Sequence, residues 1–223
     1  MCHVIATADL HGRLPSIQAC DLLLLAGDIC PSGSLQQQRG WLDTSFRKWL
    51  EEIPAQEVVT VAGNCDYLFE KAPELVPKNL RMHYLENTVL PVRGLVLFGC
   101  PWQLPFHGVF NKKEKELEAL YAKIPQEVDI VISHGPPFGI LDQVKYFSEE
   151  LGEEVLLHTG SLALRKRLLQ LHPQLMVFGH IHGAQGQVDL EGRLCANVAL
   201  IDEDGDITQK PQSFYLRARE AGF

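Results

Sequence analysis

The stretch His3-Val4-Ile5-Ala6-Thr7-Ala8-Asp9-Leu10-His11-Gly12 sets the pattern for the chain: a short apolar run that stops at Asp, His and Gly. A run of this length and β-prone composition suits a buried strand better than a helix. Four further runs repeat the pattern. Leu22–Ala26 leads into Gly27-Asp28, and Val58–Ala62 into Gly63-Asn64-Cys65-Asp66. Val128–Ser133 leads into His134-Gly135-Pro136-Pro137, and Leu175–Phe178 into Gly179-His180-Ile181-His182. In open α/β sheets ligands bind beyond the carboxyl ends of strands, so the five polar clusters are expected to meet along one edge. The glycine in each cluster permits a sharp turn and a close approach to a ligand.

The segments between these runs carry helical spacing. Leu42, Phe46, Trp49, Leu50 and Ile53 fall on one face of an amphipathic helix, and Leu117, Leu120, Tyr121 and Ile124 repeat the pattern before Pro125. Ser161 is placed to cap a third helix with Leu164, Leu168 and Leu171 on its apolar face, ended by Pro173. Two hairpins are predicted, Thr88–Pro91 with Leu95–Gly99 around Arg93-Gly94, and Gly186–Leu190 with Leu194–Val198 around Glu191-Gly192. The sum is an α/β sandwich with parallel strands inside and hairpins towards the second half.

Composition limits the function classes. At 223 residues, 46% of them hydrophobic, the chain can build a large core without disulfides, and one domain over 1–223 is expected. Its formal charge of −8 argues against a nucleic-acid binder, which needs a basic track; the longest basic cluster, Arg165-Lys166-Arg167, lies in a helical stretch. The six cysteines form no C-x-x-C pair, and no apolar stretch is long enough for a membrane span, which points to a reduced, cytoplasmic protein.

The clusters bring together Asp9, His11, Asp28, Asn64, His134, His180 and His182. Imidazole and carboxylate suit first-row divalent cations, with Mn, Fe, Zn, Ni and Co all candidates. These donors exceed one tetrahedral site and fit two cations sharing a carboxylate, an arrangement used for displacement at phosphorus. His3, His83, His107, His158 and His172 belong to no such cluster and are expected on the surface or satisfied in the core.

The set D-x-H, G-D, G-N-x-D, H-G-P-P and G-H-x-H resembles the calcineurin-like metallophosphoesterase superfamily. Gly99-Cys100-Pro101-Trp102, Phe110-Asn111 and the run from His134 to Asp142 resemble its MPPED-type phosphodiesterase branch. The resemblance implies a four-layer αββα sandwich. It also implies that Asp9, His11 and His182 hold one metal, that Asn64, His134 and His180 hold the other, and that Asp28 bridges them. Many members carry His after the Asn, where this chain has Cys65, which removes the best general acid.

The expected activity is hydrolysis of phosphodiesters, aryl diesters in vitro and cyclic nucleotides among the candidates, by a metal-bridging hydroxide. Asp28, Asn64, Cys65 and His180 are the candidate catalytic residues. Trp102 and His107, with Pro101 and Phe106, are candidates for a substrate rim. The substrate is expected to be a small phosphodiester or nucleotide. A weakly catalytic scaffold subunit and a nuclease are the competing readings; the intact ligand set opposes the first and the acidic charge the second.

Overall fold

All five apolar runs form strands in the computed structural model, which describes residues 1–149 and 152–219. Residues 220–223, the end of the expected domain, lie outside the described residues. In chain order the strands begin with β1 (Cys2–Thr7), β2 (Cys20–Ala26), β3 (Ala55–Val61), β4 (His83–Tyr84) and β5 (Thr88–Val92). β6 (Leu95–Cys100), β7 (Ile130–Ser133), β8 (Gln143–Ser148) and β9 (Glu153–His158) follow. The last are β10 (Leu175–Phe178), β11 (Gly186–Leu190), β12 (Arg193–Asn197) and β13 (Gln212–Leu216).

The strands assemble as one sheet in the order β13-β1-β2-β3-β4, a second in the order β11-β12-β10-β7-β6-β5, and the hairpin β8-β9. β1, β2 and β3 are parallel in the first sheet, as are β6, β7, β10 and β12 in the second. The antiparallel members sit at the edges. Both predicted hairpins form around pairs of left-handed residues, Arg93 (φ 54°) with Gly94 (φ 74°) and Glu191 (φ 53°) with Gly192 (φ 83°). Two such residues in succession give the turn whose twist matches that of the strands.

Alternation along the strands builds three apolar layers. Ile5, Leu23, Leu25 and Val58 face outward from the first sheet onto Leu42, Phe46 and Leu50. Leu50 lies in α2 (Arg47–Glu52), and Leu42 and Phe46 lie in the wide helical turn over Leu42–Phe46 that joins it to α1 (Leu35–Trp41). Val4, Ala6, Leu22, Leu24, Val59 and Val61 face inward onto Leu97, Ile130, Ile132, Leu175 and Val177 of the second sheet. The outer face of that sheet, with Phe98, Val131, Met176 and Phe178, meets Leu117, Tyr121, Leu164 and Leu168. Burying each large aliphatic side chain contributes roughly 1.5–3 kcal/mol, so the double-sided burial of the parallel strands dominates stability. The architecture is the expected four-layer αββα sandwich.

A short α3 (Tyr67–Lys71) follows β3; α4 (Glu114–Tyr121) and α5 (Leu162–Gln170) cover the second sheet. Ser161 caps α5, its Oγ accepting from the Leu164 N–H at 3.1 Å while donating to the Glu114 carboxylate. The β8-β9 hairpin was not legible in the sequence: its strands mix Lys, Glu and Gln with apolar residues, and no two-residue turn signal joins them. Among the described residues no helix is long and apolar enough to cross a membrane.

Candidate metal centre

The parallel strands of the two sheets end along one edge, where the five polar clusters meet. Asp9 and His11 follow β1, Asp28 follows β2, and Asn64 and Cys65 follow β3; His134 follows β7, and His180 and His182 follow β10. The site thus straddles both sheets. His134 ties them together through a 2.9 Å hydrogen bond from Nδ1 to the Ala26 carbonyl.

The backbone is bent to present these side chains. Asp9 (φ 55°), His11 (φ 43°), Asp28 (φ 52°) and His180 (φ 70°) are all left-handed, a conformation that costs a non-glycine residue roughly 1–2 kcal/mol. Such strain persists where the surroundings over-determine it, and it gathers at functional sites. Here the Asp9 N–H donates to the Gly27 carbonyl (3.0 Å) and the His11 N–H to the Asp28 carbonyl (2.9 Å). Gly63 and Gly179 serve a different need: a Cβ on Gly63 would overlap Asp28 Oδ1, and one on Gly179 would overlap Asp9 Oδ2.

The donor atoms converge in overlapping groups. Those of Asp9, His11 and His182 lie within 4.8 Å of one another, as do those of Asp9, Asp28 and His134, and of His11, Asp28 and Cys65. Asp28 is central, with Oδ2 at 3.6 Å from both His11 Nε2 and His134 Nε2. His134 Nε2 is 3.0 Å from Asn64 Oδ1, and the His134 and His180 ring centroids are 5.1 Å apart. The structure therefore brings together all seven sequence-predicted ligands.

Several features of this cluster call for a cation. A carbonyl can only accept, so His134 Nδ1 carries the proton given to Ala26, and the Nε2 lone pair of the neutral ring then faces the oxygens of Asn64 and Asp28. Two acceptors 3.0 Å apart repel unless a positive charge lies between them, either a second proton on the ring or a cation. His11 Nε2 is buried with no hydrogen-bond partner. His182 repeats the geometry of His134, Nδ1 facing the Asp202 carbonyl at 3.2 Å and Nε2 lying 3.3 Å from Asp9 Oδ1. Orientation of one ring nitrogen by a carbonyl, with the other turned into the cluster, is the usual preparation of a metal-binding histidine.

The electrostatics agree. Burial opposes ionisation of Asp9, yet the hydrogen bond with His182 and the surrounding imidazoles bring its carboxyl down to about 2. Burial and the neighbouring His134 lower His180 to about 3, leaving it a neutral donor at pH 7. Burial also disfavours charge on His134, but the Asp28 and Asp9 carboxylates outweigh it and raise its pKa, so positive charge is favoured at this spot. Burial, then Asp28, pushes the Cys65 thiol up, and Cys65 keeps its proton.

Two supporting residues carried no role in the sequence reading. Asp66, fully buried, accepts from the N–H groups of Gly63 (2.8 Å), Cys30 (2.8 Å) and Ile29 (3.2 Å), locking the Asn64 loop to the Asp28 loop. Its place in the G-N-x-D motif was the available signal. Gln103 donates from Nε2 to Asn64 Oδ1 at 3.3 Å, and nothing in the sequence distinguished it from an ordinary loop residue. The rim differs from expectation. His107 lines the cavity above the cluster, but Trp102 does not: it packs edge-on to Phe110 at 5.1 Å with the Lys112 ammonium 4.1 Å from its ring. Its large ring is needed between two apolar layers; of the other expected rim residues Phe106 lines the cavity and Pro101 does not, and Leu104 and Pro105 complete the lip.

Comparison with known proteins decides the family: residues 3–184 match the family described as calcineurin-like phosphoesterase. The chain belongs to that family. It is 31% identical over 210 residues to metallophosphoesterase domain-containing protein 1 of Homo sapiens, a match covering 82% of this chain and 61% of that protein. The mouse protein of the same name matches equally, so the chain spans about three fifths of the length of these relatives. Among solved structures, TT1561 of Thermus thermophilus aligns with a TM-score of 0.54 at 17% identity, covering 90% of this chain and 89% of that one. The phosphopantetheinyl hydrolase of Mycobacterium tuberculosis aligns with a TM-score of 0.56 at 14% identity, covering 91% and 90%. These two likenesses concern the fold. The family is one of phosphoester hydrolases, and the donor cluster of this chain fits the divalent metals such enzymes bind.

Proposed function

We propose that residues 1–223 act as one dinuclear, metal-dependent phosphodiesterase domain. Asp9, His11 and His182 would hold one cation, Asn64, His134 and His180 the second, and Asp28 would contact both. The observation that carries this reading is the position of Asp28 Oδ2, 3.6 Å from an imidazole nitrogen of each half. Two divalent cations there, with Mn, Fe, Zn, Ni and Co as candidates, would supply an acidified water at neutral pH and would draw charge off the phosphate oxygens.

The chain's own residues do the rest. The backbone N–H of Cys65 donates to Asp28 Oδ1 at 2.7 Å and holds the shared carboxylate in place. Asn64 is fixed by Gln103, so its carboxamide cannot swing away. The apolar walls of the cavity, Leu104, Pro105, Phe106 and Ile181 among them, exclude bulk water and strengthen the field on the phosphate. Cys65 lines the same cavity, but a thiol raised by burial is a poor proton donor, so leaving groups that need little protonation react best.

Aryl phosphodiesters are therefore the preferred substrates in vitro, cyclic nucleotides remain within the accepted class, and alkyl phosphomonoesters turn over more slowly. No Lys or Arg among the described residues lines the cavity, which weighs against a polynucleotide substrate. The test is a panel of diesters and monoesters with the metal-reconstituted chain and Asp28→Ala as background. Preferential hydrolysis of bis-p-nitrophenyl phosphate is expected; equal or better turnover of alkyl monoesters contradicts the reading.

A further inference from the structure

The cavity above the ligand cluster measures about 390 Å³, enough for a phosphate and one medium-sized organic group. Apart from the histidines, its charged lining residues are Asp28 and Glu203, both acidic. A second phosphate or carboxylate on the substrate would be buried there without a counter-charge, at high cost. The organic group that enters therefore carries no further negative charge.

Val144, on the cavity wall, belongs to the β8-β9 hairpin. The register places Val144 opposite Leu157 and Tyr146 opposite Val155. Strand alternation puts these four side chains on one face and Gln143, Lys145, Leu156 and His158 on the other. The second set lines an adjoining hollow of about 660 Å³, which shares His182 and Glu203 with the cavity and is polar, with Lys145, Asp202 and Asp204 on its walls. Apart from the Tyr146 hydroxyl, the face continuing from the cavity is apolar at these two pairs before it ends in Ser148 and Glu153, and its apolar residues belong to none of the three apolar layers. Tyr146 is 54% exposed and Leu157 45%.

The hairpin is anchored where it meets the cavity. The buried Asp142 carboxylate accepts from the N–H groups of Gly139 and Gly160 and pairs with His158 Nδ1 at 2.6 Å. The apolar face is therefore held in a fixed relation to the site. On the opposite lip Phe106, 55% exposed, lies edge-on to His180 with centroids 4.8 Å apart.

We propose that the preferred substrate is an amphiphilic phosphodiester, with its phosphate at the ligand cluster and an uncharged aliphatic chain running past Phe106 and Val144 onto the Tyr146–Leu157 face. The assignment rests on the phosphodiesterase reading and narrows it. A substrate held by its phosphate projects its organic group out of the cavity, where Val144, Leu157 and Val155 offer an apolar surface and the adjoining hollow, with Asp202, Glu203 and Asp204, offers an acidic one.

The experiment uses the Mn²⁺-loaded full chain with methyl, butyl and octyl p-nitrophenyl phosphodiesters below their micelle concentrations. Full burial of a methylene gives roughly fourfold in affinity, so a partly open face is expected to raise kcat/KM by at least about tenfold from methyl to octyl. Tyr146→Gln with Leu157→Gln, changes at exposed positions, is expected to flatten that rise. A flat series in the unaltered chain, an unchanged slope in the double variant, or a nucleoside cyclic phosphate surpassing the octyl ester would each overturn the proposal. Binding of methylphosphonate and octylphosphonate, measured by calorimetry, separates the two failures. If no diester is hydrolysed, the phosphodiesterase reading falls; whether octylphosphonate binds at least about tenfold tighter then decides the aliphatic assignment by itself.

Discussion

Replacing Asp66 with Ala probes how the loops of the metal centre are held together. The fully buried carboxylate accepts three backbone N–H groups, from Gly63, Cys30 and Ile29, and so joins the loop carrying Asp28 to the loop carrying Asn64. Each buried donor left without an acceptor costs about 1–3 kcal/mol, giving about 3–9 kcal/mol for the three. Two effects offset part of this. Water can enter the vacated space, and Asp66 itself is strained, its carboxyl pushed up to about 7 by burial and the Asp28 charge. A net loss of about 3–5 kcal/mol remains, and at about 2–4 °C per kcal/mol for a chain of this size Tm falls by about 6–20 °C. Asp28 also loses its support, so Mn²⁺ affinity is expected to fall by about 10- to 100-fold. Asp66→Asn keeps an acceptor for Gly63 and Ile29 but turns an amino group towards Cys30, and should fall between. Thermal unfolding followed by circular dichroism and Mn²⁺ titration calorimetry read both effects. A Tm loss below about 2 °C with unchanged Mn²⁺ affinity would refute the role given to Asp66.

Gln103→Leu separates positioning from stability: it removes the donor to Asn64 Oδ1, lowering Mn²⁺ affinity by about tenfold, while Tm holds or rises. The rise has a cause, because Gln103 Oε1 is buried without a partner and its removal relieves a penalty of about 1–3 kcal/mol. A fall in Tm with unchanged affinity would show the residue to be packing alone. Cys65→His restores a proton donor beside the cluster and is expected to raise turnover of alkyl diesters by at least about tenfold; rates unchanged on poor leaving groups would leave Cys65 as a space-filler. Ser161→Ala deletes the α5 cap and the link to Glu114, costing about 1–2 kcal/mol in denaturant unfolding without changing Mn²⁺ affinity.

The parts that were legible in the sequence share a physical reason. A strand buried on both faces must be apolar at nearly every position, so Leu22–Ala26 and Leu175–Phe178 announce themselves, and the polar residues that follow have to lie at the strand ends. The seven donors were readable because each sits on a short cluster directly after such a run. What was not legible depends on neighbours distant in the chain. Gln103 acts on Asn64 across 39 positions, and no local pattern encodes that contact. Trp102 sits in a loop beside cavity residues, and only tertiary packing shows that its ring turns inward onto Phe110. The β8-β9 hairpin has apolar residues on a face that no core layer covers, so the alternation that marks a half-buried strand is blurred by Phe147 and Leu156 on the opposite face. His158, expected to be an unremarkable histidine, pairs with Asp142 at the base of that hairpin.

Turnover of bis-p-nitrophenyl phosphate as metal-free chain is titrated with Mn²⁺ tests the central claim most directly. The account predicts activity that climbs to a plateau at two equivalents per chain and is lost, by at least about 100-fold, in Asp28→Ala. A chain that stays inert at every Mn²⁺ and Co²⁺ concentration, or that reaches full activity at one equivalent and tolerates Asp28→Ala, would contradict it.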